Sequence, residues 1–399
     1  MLEDPATDTA FDIDVFAETA VGDVRDPYPD YALARRDTPV QEVEFYNQKT
    51  IRIYRYADIE RILREPETFS SQVYEESMGL VMGPTILGMD GQEHHVHRGL
   101  VARAFRRRAL EEWTESLIEP TVHSLIDRFA ERGEAELVRE FTFQFPIRII
   151  ARMLGIPSED YGRFARLSIE LISIAVNPER GLTASAALRD YFSTIVEQRR
   201  RDPQDDLIST LATVEVDGHR LPDEHIYGFL RLLLPAGAET TYRLLGNLLL
   251  ALLSNEAQLE EVKADRSLLP QAIEEALRWE APVQFVARRP TKDVEVAGAN
   301  IPAGSGLTAC LGSANRDEAV FPDPDRFDLH RDNAHAHLAF ADGPHRCLGE
   351  HLARVETVTA INAMFDRLKD LRLEPGDSDP HVHGLAFRSP TALPVKFSA

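Results

Sequence analysis

Phe340-Ala341-Asp342-Gly343-Pro344-His345-Arg346-Cys347-Leu348-Gly349 runs directly into an apolar-periodic helix, Glu350-His351-Leu352-Ala353-Arg354-Val355-Glu356. A cysteine just ahead of a helix N-terminus has its thiolate favoured by the positive end of the helix dipole and by free backbone N–H groups. Gly343 and Gly349 let the backbone turn tightly and approach something flat. His345 and Arg346 place donor or positive groups beside the sulfur. Together these residues describe a thiolate held as an axial metal ligand. Two other readings fit a cysteine in a sequence. One is a buried structural thiol. The other is a zinc site shared with His345 and His351, which lacks a second Cys or His pair at ligand spacing. The only other cysteine is Cys310, in the apolar run Leu307-Thr308-Ala309-Cys310-Leu311, which reads as the core of a strand.

The 399 residues suffice for a large core; length alone suggests two or three domains, but no low-complexity linker or repeat marks a boundary, and one domain over residues 1–399 is expected. Hydrophobic content of 43% and charged content of 28% are ordinary for a soluble globular chain. Two cysteines argue against a disulfide framework and for a reducing compartment. Met1-Leu2-Glu3-Asp4-Pro5 is acidic with no apolar stretch behind it, so no signal peptide is expected. The most apolar segment, Ile226 to Leu253, is interrupted by Arg231, Pro235, Glu239 and Arg243 and reads as a buried helix, not a membrane span. A net charge of −22 disfavours nucleic acid and anionic membrane as partners. The expectation is a soluble, cytoplasmic monomer.

Helical periodicity dominates, over Ala57–Arg64, Gly91–Ala104, Leu110–Arg132, Pro146–Leu154, Ser158–Ser173, Ala184–Arg199, Asp223–Leu253, Pro270–Glu280 and Glu350–Leu368. Strands are expected at Val40–Phe45 and Thr50–Tyr54, around the Asp217-Gly218 turn, and at Val294–Val296, Gly306–Leu311 and Leu393–Phe397. The fold class is mainly α with small β-sheets.

The long segment beginning at Asp223, a candidate N-cap, carries Leu234-Pro235-Ala236-Gly237-Ala238-Glu239-Thr240-Thr241 in its middle. Pro235 deletes a helix hydrogen bond and Gly237 weakens the next turn, so an opening is expected there. Glu239 and Thr240 beside an opened turn can hold water and pass protons. The same residues also suit a buried helix in which Glu239 pairs with an arginine and Thr240 bonds back to a carbonyl. Glu275 and Arg278 share a helix face and can pair. His94 and Arg98 also share one. His95 and His97 read as exposed or packing residues, and His337 as locally bonded. Arg103, Arg106, Arg107 and Arg108 form a basic cluster in an acidic chain, which is as commonly a solvated helix end as a docking patch.

The Cys347 stretch resembles the haem-binding loop of cytochromes P450, Phe-x-x-Gly-x-(Arg/His)-x-Cys-x-Gly, with Phe340, Gly343, His345, Cys347 and Gly349 at its fixed positions. Ala236-Gly237-x-Glu239-Thr240-Thr241 resembles that family's oxygen-activation motif, and Glu275-Ala276-Leu277-Arg278 its Glu-x-x-Arg helix. Phe321–Phe327 fits its meander, where Arg326 is expected to join the Glu275–Arg278 network. The resemblance runs from Glu67-Thr68-Phe69-Ser70-Ser71 to Leu393-Pro394-Val395 and implies the cytochrome P450 fold of a soluble bacterial class. Ala341, where the family often has Gly, and Pro235 depart from the pattern.

What the resemblance implies is haem b, with Cys347 as the iron ligand and Phe340, Gly349, Ala236 and Gly237 against the cofactor. His94, Arg98, Arg288 and His345 would bind the propionates, with Arg289 replacing Arg288 if the register slips by one. Glu239 and Thr240 would deliver protons during activation of dioxygen. An acidic ferredoxin would dock near Arg103, Arg106 and Arg107, with Arg346 and Arg354 extending the patch. The substrate wall would comprise Tyr74, Val81, Met82, Ile86, Leu232, Leu233, Ala236, Val283, Gln284, Val286, Leu385 and Ala386. That wall is mostly apolar, which implies hydroxylation or epoxidation of a steroid, terpenoid, fatty acid or macrolide-like substrate. A peroxygenase or isomerase on the same fold would commonly dispense with the acid–alcohol pair. A non-catalytic haem-thiolate binder is the third reading.

Overall fold

The computed structural model describes residues 22–45, 48–172, 177–216, 218–374, 376 and 379–398. Ser173, Asp217 and the side chain of Arg107, each part of an expectation above, lie outside that description. Six helices position the site: α1 Gly91–Ala102, α2 Pro178–Arg201, α3 Asp223–Leu233, α4 Thr240–Leu253, α5 Leu269–Trp279 and α6 Glu350–Arg367. Helix α4 is buried on every side from Thr241 to Leu252 and forms the axis of the larger core. A helix apolar all round belongs in the middle of a protein, as the run Leu248-Leu249-Leu250-Ala251-Leu252 requires.

A second core lies under a five-stranded sheet whose strands are β1 Val40–Phe45, β2 Gln48–Ile53, β3 Phe69–Ser70, β4 Phe285–Pro290 and β5 Leu307–Cys310. Its order is β1-β2-β5-β4-β3. Strand β5 pairs parallel with β2 and antiparallel with β4, setting Leu307 opposite Arg288 and Cys310 opposite Phe285. All four β5 residues are buried, so Cys310 is a core residue as expected. Burial pushes its thiol up to about 12.

Several expected elements change shape, chiefly at prolines. The stretch Leu110–Arg132 is not one helix. It divides into Arg107–Trp113, a wide π turn Thr114–Ile118 and Glu119–Asp127. The expected helix Asp223–Leu253 likewise divides at a π turn, Leu234–Glu239. Pro120 and Pro235 sit at these turns, where a missing N–H and a ring clash with the carbonyl one turn back are relieved by an extra residue. Asp223 is not the N-cap of α3. Pro222 holds that position, and no side chain caps the end. Helix α2 begins at Pro178 instead of Ala184 because Asn177 accepts a hydrogen bond from the Arg180 N–H.

The Glu-x-x-Arg pair ties this framework together. Glu275 takes Arg278 in two bonds of 2.7 and 2.8 Å, and its Oε1 also accepts from the Asp328 N–H and from Arg331 Nε at 3.1 Å. Arg278 donates onward to the carbonyls of Asn315, Pro324 and Arg326. The expected third member, Arg326, contributes only its carbonyl. Its side chain is exposed, and Arg331 supplies the second guanidinium.

Candidate active site

The Cys347 loop is held by its own backbone. The Cys347 N–H donates to the Phe340 carbonyl (2.9 Å), and a single 3-10 turn, Gly343–His345, closes on the Arg346 N–H. Gly343 has φ +68°, and a Cβ there would lie 2.4 Å from the Leu63 carbonyl oxygen, so this turn requires glycine. Ala341 has φ +56°, a left-handed conformation that costs a residue with a Cβ about 1 kcal/mol. A Cβ on Gly349 would meet nothing within 4 Å, so its role is different. Its N–H donates toward the Cys347 sulfur. Burial nevertheless raises the thiol above its ordinary value, against the Gly349 N–H, Arg98 and Arg354. Desolvation therefore outweighs these three groups, and a metal ion at the sulfur would replace its proton outright. Cys347 is exposed, whereas Cys310 is buried. Phe340 lies under the Arg354 guanidinium, 4.6 Å from the ring centre.

Beside this loop four basic side chains converge from three elements. His94 and Arg98 come from α1, Arg288 from β4 and His345 from the loop. The His94 and His345 rings are 4.1 Å apart. His94 Nε2 is buried with no hydrogen-bond partner, and its pKa falls to about 4, through burial first and then the charges of His345 and Arg98. His345 Nε2 lies 3.3 Å from Asp90, whose carboxylate also accepts from Ser70 and Ser71. Arg98 donates to the Arg346 carbonyl and Arg288 to its neighbour Ala287. Burial lowers the pKa of both arginines. Arg289 points the other way, to Glu76, which fixes the strand register at Arg288. Asp90 is the single carboxylate bonded within this group among the described residues.

The turn between α3 and α4 is opened. Leu232, Ala236 and Thr240 follow at four-residue steps and are exposed or half-buried, so one face of the helix is open. Thr240 Oγ1 donates to the Ala236 carbonyl (2.7 Å). Glu239 is buried and paired with Arg243 at 3.0 Å, while Arg243 also donates to Ser389 and lies over the Tyr242 and Phe387 rings. Both bonds of the buried-helix reading are therefore present, together with the opening. Gly237 packs against α-helical neighbours. A Cβ there would lie 3.0 Å from Ile150 Cδ1, so its small size serves helix packing.

Residues 171–390 match the family model described as Cytochrome P450. A steroid C26-monooxygenase of Mycobacterium tuberculosis is 39% identical over 344 residues, covering 84% of this chain and 91% of that protein. This chain belongs to the cytochrome P450 family. Solved P450 structures superpose over its length. CYP109Q5 from Chondromyces apiculatus is 35% identical with a TM-score of 0.87, covering 94% of this chain and 96% of its own. CYP109E1 from Bacillus megaterium, in complex with testosterone, is 30% identical with a TM-score of 0.86, covering 94% and 100%. The protein is thus a P450 monooxygenase by family, with the P450 fold and haem b as its cofactor. The residues present fit that group. His94, Arg98, Arg288 and His345 bring two guanidinium groups and two imidazoles together with one bonded carboxylate, a donor set that suits two haem propionates.

The expected substrate wall is only partly brought together. Val81, Ile86 and Leu232 are half-buried, whereas Met82, Leu233 and Ala386 are buried. Tyr74 is fixed to β4, its hydroxyl accepting from the Ala287 N–H, and Val286 stands in β4 opposite Ala309. Val283 bridges to Phe387. Gln284 does not face a ligand. It is fully buried, donates to the Ala281 carbonyl and lies against Gly312, which has no room for a Cβ beside it. Leu385 lines a cavity of about 640 Å³ together with Asp26, Asp30, Tyr31, Arg52 and Tyr54. The basic patch is thinner than expected: Arg108 pairs with Glu112, Arg346 with Glu350, and Arg354 with Glu274 and Glu350. Arg103 donates to the Glu215 carbonyl. His97 is not merely exposed, since its Nε2 bonds His225 Nδ1 at 2.9 Å. His337 bonds Glu274 and the Ala339 N–H. Among the described residues, no helix is long and apolar enough to cross a membrane.

Proposed function

We propose that this P450 hydroxylates or epoxidises an apolar small molecule, using dioxygen and electrons from a separate ferredoxin and reductase. The reading rests on the acid–alcohol pair at the opened turn. Haem, when bound, supplies the activation of dioxygen and the oxidation of substrate. Cys347 is the thiolate ligand, with the Gly349 N–H donating to its sulfur and the Phe340 carbonyl fixing its backbone. His94, Arg98, Arg288 and His345 hold the propionates. Thr240 gives its own proton to the Ala236 carbonyl, so its oxygen lone pairs are free to accept a hydrogen bond from a group in the cavity. Glu239 stands one residue away, fixed by Arg243, at the buried end of a route along which protons reach that hydroxyl. Leu232, Ala236, Val81 and Ile86 exclude water from an apolar substrate. Arg103, Arg106 and Arg107 offer the docking charge for an acidic ferredoxin. A monomer in the cytoplasm suits this scheme.

The test is a turnover assay of the holoprotein with a surrogate ferredoxin and reductase, against a ligand first found by its shift of the haem spin state in a panel of steroids, terpenoids, fatty acids and macrolides. Replacing Thr240 by alanine is expected to leave electron consumption intact while diverting it from product to hydrogen peroxide. Cys347→Ser is expected to abolish both the thiolate signature of the carbon monoxide complex and turnover. Unchanged coupling in the first variant, or a native spectrum in the second, overturns the corresponding role.

A further inference from the structure

Glu239 and Arg243 are 3% and 0% exposed, and their 3.0 Å ion pair spans one turn of a single helix. On a helix surface such a pair samples several rotamers and contributes little. Here one orientation is left. Arg243 Nη1 donates to the Ser389 hydroxyl at 3.0 Å, across 146 residues of chain. Its guanidinium lies 4.9 Å from the Tyr242 ring centre and 5.4 Å from that of Phe387. The Ser389 hydroxyl is also hydrogen-bonded to Tyr242, so it serves both neighbours.

Ser389 is itself held. It is buried and stands opposite His383 in a short hairpin, with Pro390 opposite Val382. Its neighbour Arg388 donates to Glu280 (2.6 Å) and to the carbonyls of Val24 and Arg25 (both 2.8 Å). Helix α4 packs directly on this hairpin: a Cβ on Gly246 would lie 3.0 Å from Pro390 Cδ. The carboxylate at the opened turn is therefore braced, through one guanidinium, by the C-terminal part of the chain. Thr240, the next residue, is oriented by its own bond to the Ala236 carbonyl. A proton donor and the hydroxyl it serves must keep a set geometry, and a misplacement of about 1 Å is costly in rate.

We propose that Arg243 and Ser389 are positioning residues for proton delivery: Ser389 fixes the Arg243 guanidinium, and Arg243 fixes the Glu239 carboxylate beside Thr240. Both act through Glu239 and not on substrate. The assignment rests on the monooxygenase reading above and extends its machinery to a hairpin that none of the sequence motifs includes.

The experiment drives the holoprotein with a surrogate ferredoxin and reductase and no added substrate. Dioxygen then leaves as hydrogen peroxide, taking up two electrons and two protons, or as two waters, taking up four of each. Proton delivery favours water. The peroxide-to-water ratio is expected to rise roughly 2- to 10-fold in Ser389→Ala, the span of one hydrogen bond, and further in Arg243→Met. Ser389→Thr, which keeps the hydroxyl, is expected to restore the native ratio. On a Glu239→Gln background, Ser389→Ala is expected to change nothing further, since Ser389 acts through the carboxylate. Infrared spectra give a reading apart from turnover: Arg243→Met is expected to show the carbonyl band of a protonated carboxyl, absent once Glu239→Gln is added. A native ratio in Ser389→Ala, or an equal rise with and without Glu239→Gln, overturns the proposal whether or not Arg243→Met folds. So does the absence of that band in a folded Arg243→Met protein. In each of those cases a raised ratio in Thr240→Ala leaves the monooxygenase reading intact. A native ratio in both Glu239→Gln and Thr240→Ala overturns that reading as well.

Discussion

Arg278 and Arg288 are almost equally buried, at 1% and 3% exposure, yet they are met by very different sets of acceptors. Around Arg278, one carboxylate, Glu275, takes two guanidinium groups, and a ring of backbone carbonyls accepts the remaining protons. Beside Arg288 stand His94, Arg98 and His345, and the one carboxylate bonded within the group among the described residues, Asp90, is taken by His345. The first arrangement is closed in its hydrogen bonds, since Arg278 meets Glu275 and three backbone carbonyls, and it holds α5 to the loops beyond it. The second is open, since Arg288 donates only to the Ala287 carbonyl. Burial alone does not tell these two arginines apart. The acceptors around each one do.

The largest effect is expected at the closed set. Glu275→Ala would leave Arg278 and Arg331 buried without their carboxylate, a loss of about 3–5 kcal/mol. Urea unfolding monitored by circular dichroism checks this. A loss under about 1 kcal/mol would mean that the carbonyls alone suffice, and the two sets would no longer differ in kind. The open set is expected to behave in the opposite sense. Arg288→Gln removes one charge-assisted bond to haem, about 1.5–3 kcal/mol, so haem transfer to an excess of acceptor protein should quicken by roughly 10- to 150-fold. The haem-free protein should be no less stable than before, because a buried charge has been removed. If Arg288→Gln unfolds the haem-free protein as Glu275→Ala does, Arg288 belongs with the structural set.

The same contrast explains what was legible in the sequence. The Cys347 loop could be read because its chemistry is contiguous: the turn glycine, the sulfur and the helix start lie within a dozen residues. The opened turn at Pro235 could be read because proline acts locally. Arg331 could not, since it reaches Glu275 by a loop path that no spacing rule predicts, and Arg326 lay nearer the expected position. Asp90 was missed for the same reason: its bonds to Ser70, Ser71 and His345 join distant segments. Strand β4 was hidden by its charged Arg288-Arg289 pair, whose opposite directions become visible only once β5 and β3 flank it. Gln284 and Leu385 were placed by family position. Side-chain direction at those points depends on neighbours such as Gly312 and Tyr31, which sequence order does not reveal.

A third buried charge carries the comparison to the opposite sign. Glu356, in α6, is 2% exposed, and its side chain has no ion pair or hydrogen bond among the described residues. Burial raises its pKa to about 8 from an ordinary value of 4.5. Between those values the folded protein holds a proton that the unfolded chain has released. The contribution of Glu356 to folding stability is therefore greatest below about pH 4.5 and declines as pH rises toward 8, by at most about 1.4 kcal/mol per pH unit. Glu356→Gln keeps the shape and removes the titration. Its stability should match the native protein near pH 4.5 and exceed it increasingly up to pH 8, as read from urea midpoints across that range. Parallel curves for the two proteins would mean that Glu356 is ionised and neutralised in place. The rule drawn from Arg278 would then extend to it, and α6 would carry a closed charge set of its own.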